Sequence, residues 1–221
     1  TCAWLFEETA SQSASLSRDS GSEIMRESDS KLESTSSTLS SSDNSKDVVW
    51  DSFVEWLRSP EHWYWISGRP GTGKSVLMKF IISRPETMDE LRKWQPDVQM
   101  LLHFFWKPGN TEQSNFKGFL CSVVYQLCVL DQAFFMAWLQ HTPDWRLRAR
   151  PGDWDLQELR HFIVSYFDQT ARPFCLFLDG LDEFFDHDGV GVLIDFLEKL
   201  QRSPAPVKIC VSSRPEPALR Y

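Results

Sequence analysis

The sequence predicts an α/β fold: a parallel sheet layered between helices. Three observations predict it. Apolar strand-like runs alternate with helical segments along the chain. A glycine-rich stretch, GRPGTGKS from Gly68 to Ser75, lies between the strand-like HWYWIS and the helix-like VLMKFII, the strand–loop–helix context of a phosphate-binding loop. A later apolar run, FCLFLDGLDE from Phe174 to Glu183, ends in acids, where open parallel sheets place their ligand sites.

The elements follow in order. Residues 1–8 contain CAWLFEE and read as a short helix. Residues 9–46 are dominated by Ser, Thr, Asp, Glu and Lys; such a segment buries too little apolar area to offset chain entropy and reads as a disordered linker. Residues 47–221 form the nucleotide-binding domain. It opens with a helix carrying Val49, Phe53, Trp56 and Leu57 at helical spacing, ended by Ser59-Pro60. A buried strand, His62 to Ser67, leads into the glycine loop, and the following helix stops at Pro85. Glu86 to Trp94 is a short helix. Val98 to Trp106 is a strand apolar on both faces, as in a covered parallel sheet, turned at Pro108-Gly109-Asn110. Asn115 to Leu130 is a helix with Phe119, Val123, Leu127 and Leu130 inward, and another covers Gln132 to Gln140. His141 to Asp153 is a loop, within which the basic WRLRAR, Trp145 to Arg150, is exposed. Asp155 caps a helix to Thr170, with Glu158 completing a capping box. The strand Phe174 to Leu178, the helix Val190 to Leu200 and the strand Val207 to Ser212 complete the pattern.

Composition narrows the function. The chain has 221 residues, 42% hydrophobic, enough for one domain with a proper core. Net charge is −8 and no basic stripe stands out, which argues against a nucleic-acid partner. No apolar run reaches the ~18 residues that span a bilayer, so no membrane partner is expected. The five cysteines include no C-x-x-C pair; Cys121, Cys128, Cys175 and Cys210 read as buried, reduced thiols, which suits a cytoplasmic protein. The chain starts without Met and is expected to be a fragment of a longer protein.

The chemistry of the glycine loop follows from its residue types. Gly68, Gly71 and Gly73 permit backbone dihedrals closed to other residues, so that successive N–H groups form an anion nest. The next helix adds its positive N-terminal end. Lys74 reaches the β- and γ-phosphates, the Ser75 hydroxyl ligates Mg²⁺, and Pro70 stiffens the loop. Arg69 either touches phosphate or is solvated. Thr72 and Val76 complete the nucleotide-binding set. The alternative, a glycine-rich turn with a surface lysine, lacks any reason for the flanking strand and helix.

Asp179, ending its strand, is expected as the second Mg²⁺ ligand, direct or through water; the alternative is a solvated acidic turn. Activating a water for attack on the γ-phosphate needs a carboxylate. Many P-loop ATPases carry Glu directly after this Asp; here the position is Gly180, and either Asp182 or Glu183 can serve, which leaves the base assignment open; slow hydrolysis is the expectation. Arg214, after the last strand, is placed either to sense the γ-phosphate or as an ordinary surface arginine. No N-K-x-D guanine motif follows these acids; the Asn44-Ser45-Lys46-Asp47 string has the wrong order and precedes the loop. That tilts the base preference to ATP, with GTP open.

The set GRPGTGKS, FLDGLDE and VSSRP, in this order, resembles the NACHT family of signal-transduction NTPases, in particular its fungal branch, also described as nephrocystin-like N-terminal domains. WLFEE, YWISGRPGTGKSVLMKF, HFFWKPG with NFKGFLCSVVYQL, and KICVSSRPEP support the likeness, which covers nearly all of the chain outside the Ser-rich segment. The resemblance implies a P-loop NTPase three-layer sandwich of ASCE type with strand order 5-1-4-3-2, Mg-nucleotide binding, and a switch between closed and self-associating states. By position, Lys74 and Ser75 match its Walker A residues, Asp179, Asp182 and Glu183 its acidic Walker B set, and Arg214 its sensor arginine. A fifth strand, the downstream helical and repeat domains and an upstream effector domain are not identifiable in the sequence. The leading expectation is a slowly hydrolysing, ATP-binding signalling switch of a larger protein; the alternatives are a small-molecule kinase and a nucleotide-bound scaffold that does not hydrolyse.

Overall fold

A computed structural model describes residues 52–109, 111–187 and 189–215. The helix expected at residues 1–8, the linker at 9–46 and the first residues of the helix expected from Asp47 lie outside the described residues.

The α/β fold read from the sequence is the one observed. The four strands are β1 (Trp63–Ser67), β2 (Gln99–Phe104), β3 (Phe174–Asp179) and β4 (Val207–Ser213). They form one parallel sheet in the order β1-β4-β3-β2. This is the order implied by the resemblance, without a fifth strand among the described residues. Helices α1 (Phe53–Arg58), α2 (Lys74–Ser83) and α3 (Pro85–Trp94) cover one face. Helices α4 (Phe116–Leu130), α5 (Gln132–His141), α6 (Leu156–Gln169) and α7 (Gly191–Gln201) cover the other.

Alternation along β3 builds both cores at once. Phe174, Leu176 and Leu178 join the core under α4 to α7, whereas Cys175 and Phe177 join the core under α1 to α3. Every residue of β3 and β4 is buried, which explains their near-continuous apolar runs.

The outer strands differ from expectation. Among the described residues strand β1 is an edge, and its Trp63 and Trp65 are each 37% exposed rather than buried; Trp63 Nε1 donates to Gln201 Oε1 of α7 at 3.0 Å. Strand β2 is the opposite edge, with only Leu101 and His103 buried. The Gln126 amide of α4 covers that edge, accepting from Leu102 N (2.9 Å) and donating to Leu102 O (2.8 Å).

Local chemistry sets the helix ends. Pro85 both ends α2 and opens α3, where its missing N–H costs nothing. Asn115 caps α4 through Gly118 N at 2.8 Å. Asp155 caps α6 through Gln157 N and Glu158 N, but the capping box is not closed, because the Glu158 carboxylate is drawn away by Arg148.

The segment expected to be an exposed loop contains two short 3₁₀ turns, Pro143–Leu147 and Pro151–Asp153, and Trp145 is buried in the core. Cys121 and Cys128 are half-buried rather than buried, since they face a surface groove from α4. Burial still raises their thiols, Cys128 to about 12, and raises Cys175 and Cys210 as well. No single helix among the described residues is long and apolar enough to cross a membrane.

Candidate nucleotide-binding site

The candidate site lies at the carboxyl ends of β1, β3 and β4. The glycine loop leaves β1 with Gly68 N still bonded to Ser213 O at 3.2 Å. Gly71 and Gly73 then take φ of +75° and +85°, the left-handed region that glycine enters without strain. Nothing lies within 4 Å of where a Cβ would stand on either residue, so these glycines answer the backbone angle rather than crowding. Gly73 is also the N-cap of α2 and supplies no side chain to its first N–H groups. The helix start therefore presents backbone donors and its positive end to the cleft. Lys74 Nζ curls over the loop and donates to Gly68 O (2.7 Å) and Arg69 O (3.2 Å). Thr72 Oγ1 donates to Arg69 O at 2.8 Å, which closes the loop as a turn.

Across from the loop, Gly180 has φ +74°, and a Cβ there would stand 2.9 Å from Phe105 O. The position directly after Asp179, where the sequence comparison with P-loop ATPases expects Glu, cannot take a side chain without moving the β2 strand end. The chain instead makes a 3₁₀ turn, Leu181–Glu183, that brings Asp182 and Glu183 to the cleft. Asp182 is held by Arg214 in two ways: Arg214 N donates to Oδ1 (3.0 Å), and the guanidinium forms an ion pair with Oδ2 (Nε to Oδ2, 2.8 Å). Glu183 Oε2 accepts from Lys107 N at 3.0 Å.

These groups bound one cleft of about 280 Å³. Pro70, Gly71, Gly73, Lys74, Ser75 and Val76 line one side; Gly180, Asp182, Glu183, Ser212 and Arg214 line the other. Gly68, Arg69 and Thr72 are not on its wall; they form the back of the loop. Asp179 is not on the wall either. It is 4% exposed, and its carboxylate accepts from the hydroxyl of Ser212, which in turn accepts from Gly180 N at 3.2 Å. Ser212 thus stands between Asp179 and the cleft.

Sequence reasoning missed Ser212, Ser213 and Lys107. Ser213 Oγ accepts from Trp65 Nε1 at 2.8 Å and its carbonyl holds the loop's first N–H, so it locks the β1 end to β4. Two serines ending a fully buried strand were the available signal.

The residues fit a bound phosphate chain: glycines in the left-handed region, a helix start without a side-chain cap and a lysine held on the loop carbonyls. Among the described residues no cluster of three or more His, Cys, Asp or Glu could cage a metal ion. Ser75, on the cleft wall, is the residue that would hold a magnesium ion here, where the ion would offset phosphate charge; Asp179 is screened from the cleft by Ser212. A larger groove of about 600 Å³ between α4, α5 and the start of α6 is lined mainly by apolar side chains, and its cation Arg148 is already tied to Glu158. It offers no comparable set of converging donors.

Two solved structures are similar to the chain at low identity. One is that of Drosophila ORC bound to DNA: TM-score 0.45, 16% identity, covering 85% of this chain and 48% of that one. The other is Cdc6p from Pyrobaculum aerophilum: TM-score 0.37, 15% identity, covering 72% of this chain and 35% of that one. The chain thus spans less than half the length of either. No curated protein sequence matches it. The family described as nephrocystin 3, N-terminal, matches residues 44–214, a span that includes the glycine loop, the acids after β3 and the serines and arginine ending β4. Matched over most of its length, the chain belongs to the nephrocystin 3 N-terminal family.

Proposed function

We propose that the chain is a Mg²⁺-dependent nucleotide-binding module, with ATP its preferred ligand, acting as a slowly hydrolysing switch within a larger NACHT-type signalling protein. The observation that supports this is the single cleft walled by Lys74 and Ser75 on one side and by Asp182, Glu183 and Arg214 on the other. In this reading Lys74 exchanges its two loop carbonyls for phosphate oxygens. The Gly71 and Gly73 backbone and the α2 start cradle the chain of phosphates. The Ser75 hydroxyl holds magnesium, and Arg214 carries the cation that distinguishes triphosphate from diphosphate. The bound nucleotide supplies the phosphoryl group whose loss resets the switch.

A useful switch needs differential affinity: moving an equilibrium from 1:99 to 99:1 takes about 5.5 kcal/mol. Lys74, magnesium and Arg214 acting together on one γ-phosphate are the source of such a difference. Self-association through the same domain in the full-length protein is the output that the NACHT resemblance suggests.

Thermal-shift titration with ATP, GTP, ADP and GDP, with and without Mg²⁺, tests the reading. Ligand at a hundred times its Kd adds about 2.7 kcal/mol to the parent. Lys74→Ala removes that shift. An equal shift in the variant, or none in the parent, overturns the assignment.

One observation favours a second reading, a nucleotide-bound scaffold: Gly180 occupies the place of the usual base, and Asp182 is already engaged by Arg214. Phosphate release equal to that of Lys74→Ala, with nucleotide binding intact in the parent, decides for it.

A further inference from the structure

We propose that the groove between α4, α5 and the start of α6 is a docking site for residues 1–8 of this same chain, with Trp4, Leu5 and Phe6 seated in it. The inference stands apart from the nucleotide reading, whose cleft lies at the carboxyl ends of the strands.

The groove, about 600 Å³, is walled by Val124, Tyr125, Val129, Phe135, Met136 and Trp154. Three of these are left largely to solvent: Tyr125 is 71% exposed, Val129 60% and Met136 54%. Tyr125 and Val129 are four apart on α4 and form one ridge. Met136 brings α5 to the same groove. Contiguous apolar surface of this kind marks a place of attachment. Without converging donors it suits an apolar segment rather than a polar small molecule.

The chain carries an occupant of that chemistry. Outside the described residues, Leu, Val or aromatic residues stand three in a row at two places, Trp4-Leu5-Phe6 and Val48-Val49-Trp50. The second lies next to Ser52, the cap of α1, and α1 packs on the opposite face of the sheet. A stretch so close to α1 cannot cross to the groove. The first is joined to Ser52 through residues 9–51. A flexible chain of about 43 residues has a root-mean-square span of about 33–39 Å. A domain of about 160 residues has a radius of gyration of about 15 Å. Residues 1–8 can therefore reach either face.

Charge selects the orientation. Glu7 and Glu8 directly follow the apolar triplet. Arg148 and Ala149 line the groove, with Arg146 and Arg150 beside them in the chain. Arg148 is paired with Glu158, but Arg146 and Arg150 are exposed and have no ion pair among the described residues. Two nearby acids are already committed: Asp153 accepts from Ala149 N and Arg150 N, and Asp155 caps α6. Arg146 and Arg150 are thus placed to meet Glu7 and Glu8. Exposed pairs add little affinity; burial of the apolar triplet drives the docking.

The test traps the segment through Cys2. Cys121 and Cys128, which line the same groove, are replaced by Ala, leaving Cys2 and the sealed Cys175 and Cys210. One cysteine is then introduced at an exposed position, by Met136→Cys in the groove or by Glu55→Cys on α1. Mild oxidation in dilute solution, followed by non-reducing gels and peptide mass spectrometry, reads the rate of disulfide formation with Cys2. An undocked segment would bridge to Glu55→Cys at least as fast, because α1 starts where its tether ends. Docking is expected to make the Met136→Cys bridge form about tenfold faster or more than that control. Trp4→Ala/Phe6→Ala brings it down to the control rate, and Glu7→Lys/Glu8→Lys lowers it about two- to fivefold. The Glu55→Cys rate stays unchanged in the same variants, which separates lost docking from a general loss of reactivity.

Equal rates at the two positions overturn the proposal. So does a fast Met136→Cys bridge that survives Trp4→Ala/Phe6→Ala. A bridge that forms between two chains and fades on dilution overturns it as well, and gives the groove to the segment of a second copy. None of these readouts depends on nucleotide.

Discussion

The ammonium of Lys208 lies 4.5 Å from the centre of the Trp56 ring and donates to Trp56 O, while the whole lysine is sealed from solvent. It also donates to Glu61 O at 3.0 Å and sits 5.2 Å from the Trp94 ring. Two carbonyls and two indole faces thus hold a buried cation that pins α1 to β4. Burial, the dominant cause, lowers its pKa from 10.5 to about 8. The sign follows from proton counting. Below pH 8 folded and unfolded chains are both protonated and the burial cost is constant. Between about 8 and 10.5 the unfolded chain keeps a proton that the folded chain has lost, so this group makes stability rise with pH. The raised thiols of Cys175 and Cys210 act in the opposite sense, because the folded state keeps their protons longer. The readout is therefore a difference. From pH 8 to pH 10 the parent should gain on the order of 2 kcal/mol relative to Lys208→Met in urea unfolding. Parallel curves for the two proteins would refute this.

Ser212 is expected to matter for stability as well as for the cleft. Its hydroxyl is the donor to the buried Asp179 carboxylate and the acceptor for Gly180 N. Ser212→Ala leaves a buried carboxylate oxygen and a backbone N–H without these partners. The cost should be about 1–3 kcal/mol without any ligand present, measured by denaturant unfolding. A change below about 0.3 kcal/mol would mean that water replaces the hydroxyl.

Much of this was legible in the sequence because periodicity and turn chemistry are local. GRPGTGKS could be read as a loop between strand and helix because glycine at 71 and 73 answers a backbone requirement that no other residue meets cheaply. The runs at Phe174 and Val207 could be read as central strands because residues buried on both faces leave no polar alternation. What failed depended on neighbours remote in sequence. Trp63 and Trp65 are exposed on a strand that is an edge among the described residues. The Glu158 carboxylate left its expected capping box for Arg148, ten residues away. The acids after β3 could be named from the sequence, but not what each one holds. Asp182 and Glu183 are chemically alike and adjacent; only the positions of Arg214 and Lys107 tell them apart.

Gly180→Ala should be costly for a reason unrelated to catalysis. The residue sits at φ +74°, where a Cβ costs about 1–2 kcal/mol. The added methyl would also stand 2.9 Å from Phe105 O, a backbone atom that cannot swing aside. Phe105 N is in turn bonded to Asp179 O at 2.9 Å, so a shift there disturbs the end of the β2–β3 ladder. A loss of about 2 kcal/mol or more in ligand-free stability is expected, with a smaller loss for Gly152→Ala, where nothing lies within 4 Å and φ is not positive. Equal effects at the two positions would show that the strand end yields freely.

Trp145 gives the sharpest contrast between sequence and structure. WRLRAR carries three arginines and is followed by Pro151-Gly152, the composition of a solvated loop. Yet Trp145 is 3% exposed, edge-on to Trp154 at 4.8 Å and tilted against Phe162 at 5.3 Å. Its neighbour Leu147 is 83% exposed. The 3₁₀ turn over Pro143–Leu147 directs one side chain inward and the next apolar one outward, and charge count cannot report which. Trp145→Ala should cost about 3–5 kcal/mol, the range for removing a large aromatic from a core. Leu147→Ala should stay within about 0.5 kcal/mol. Trp145→Phe should fall between them, because it keeps a ring in the cluster while removing a buried N–H that has no hydrogen-bond partner among the described residues. Urea unfolding of the three variants side by side provides the check. Indistinguishable Trp145→Ala and Leu147→Ala curves would return the segment to the surface, where its composition first placed it.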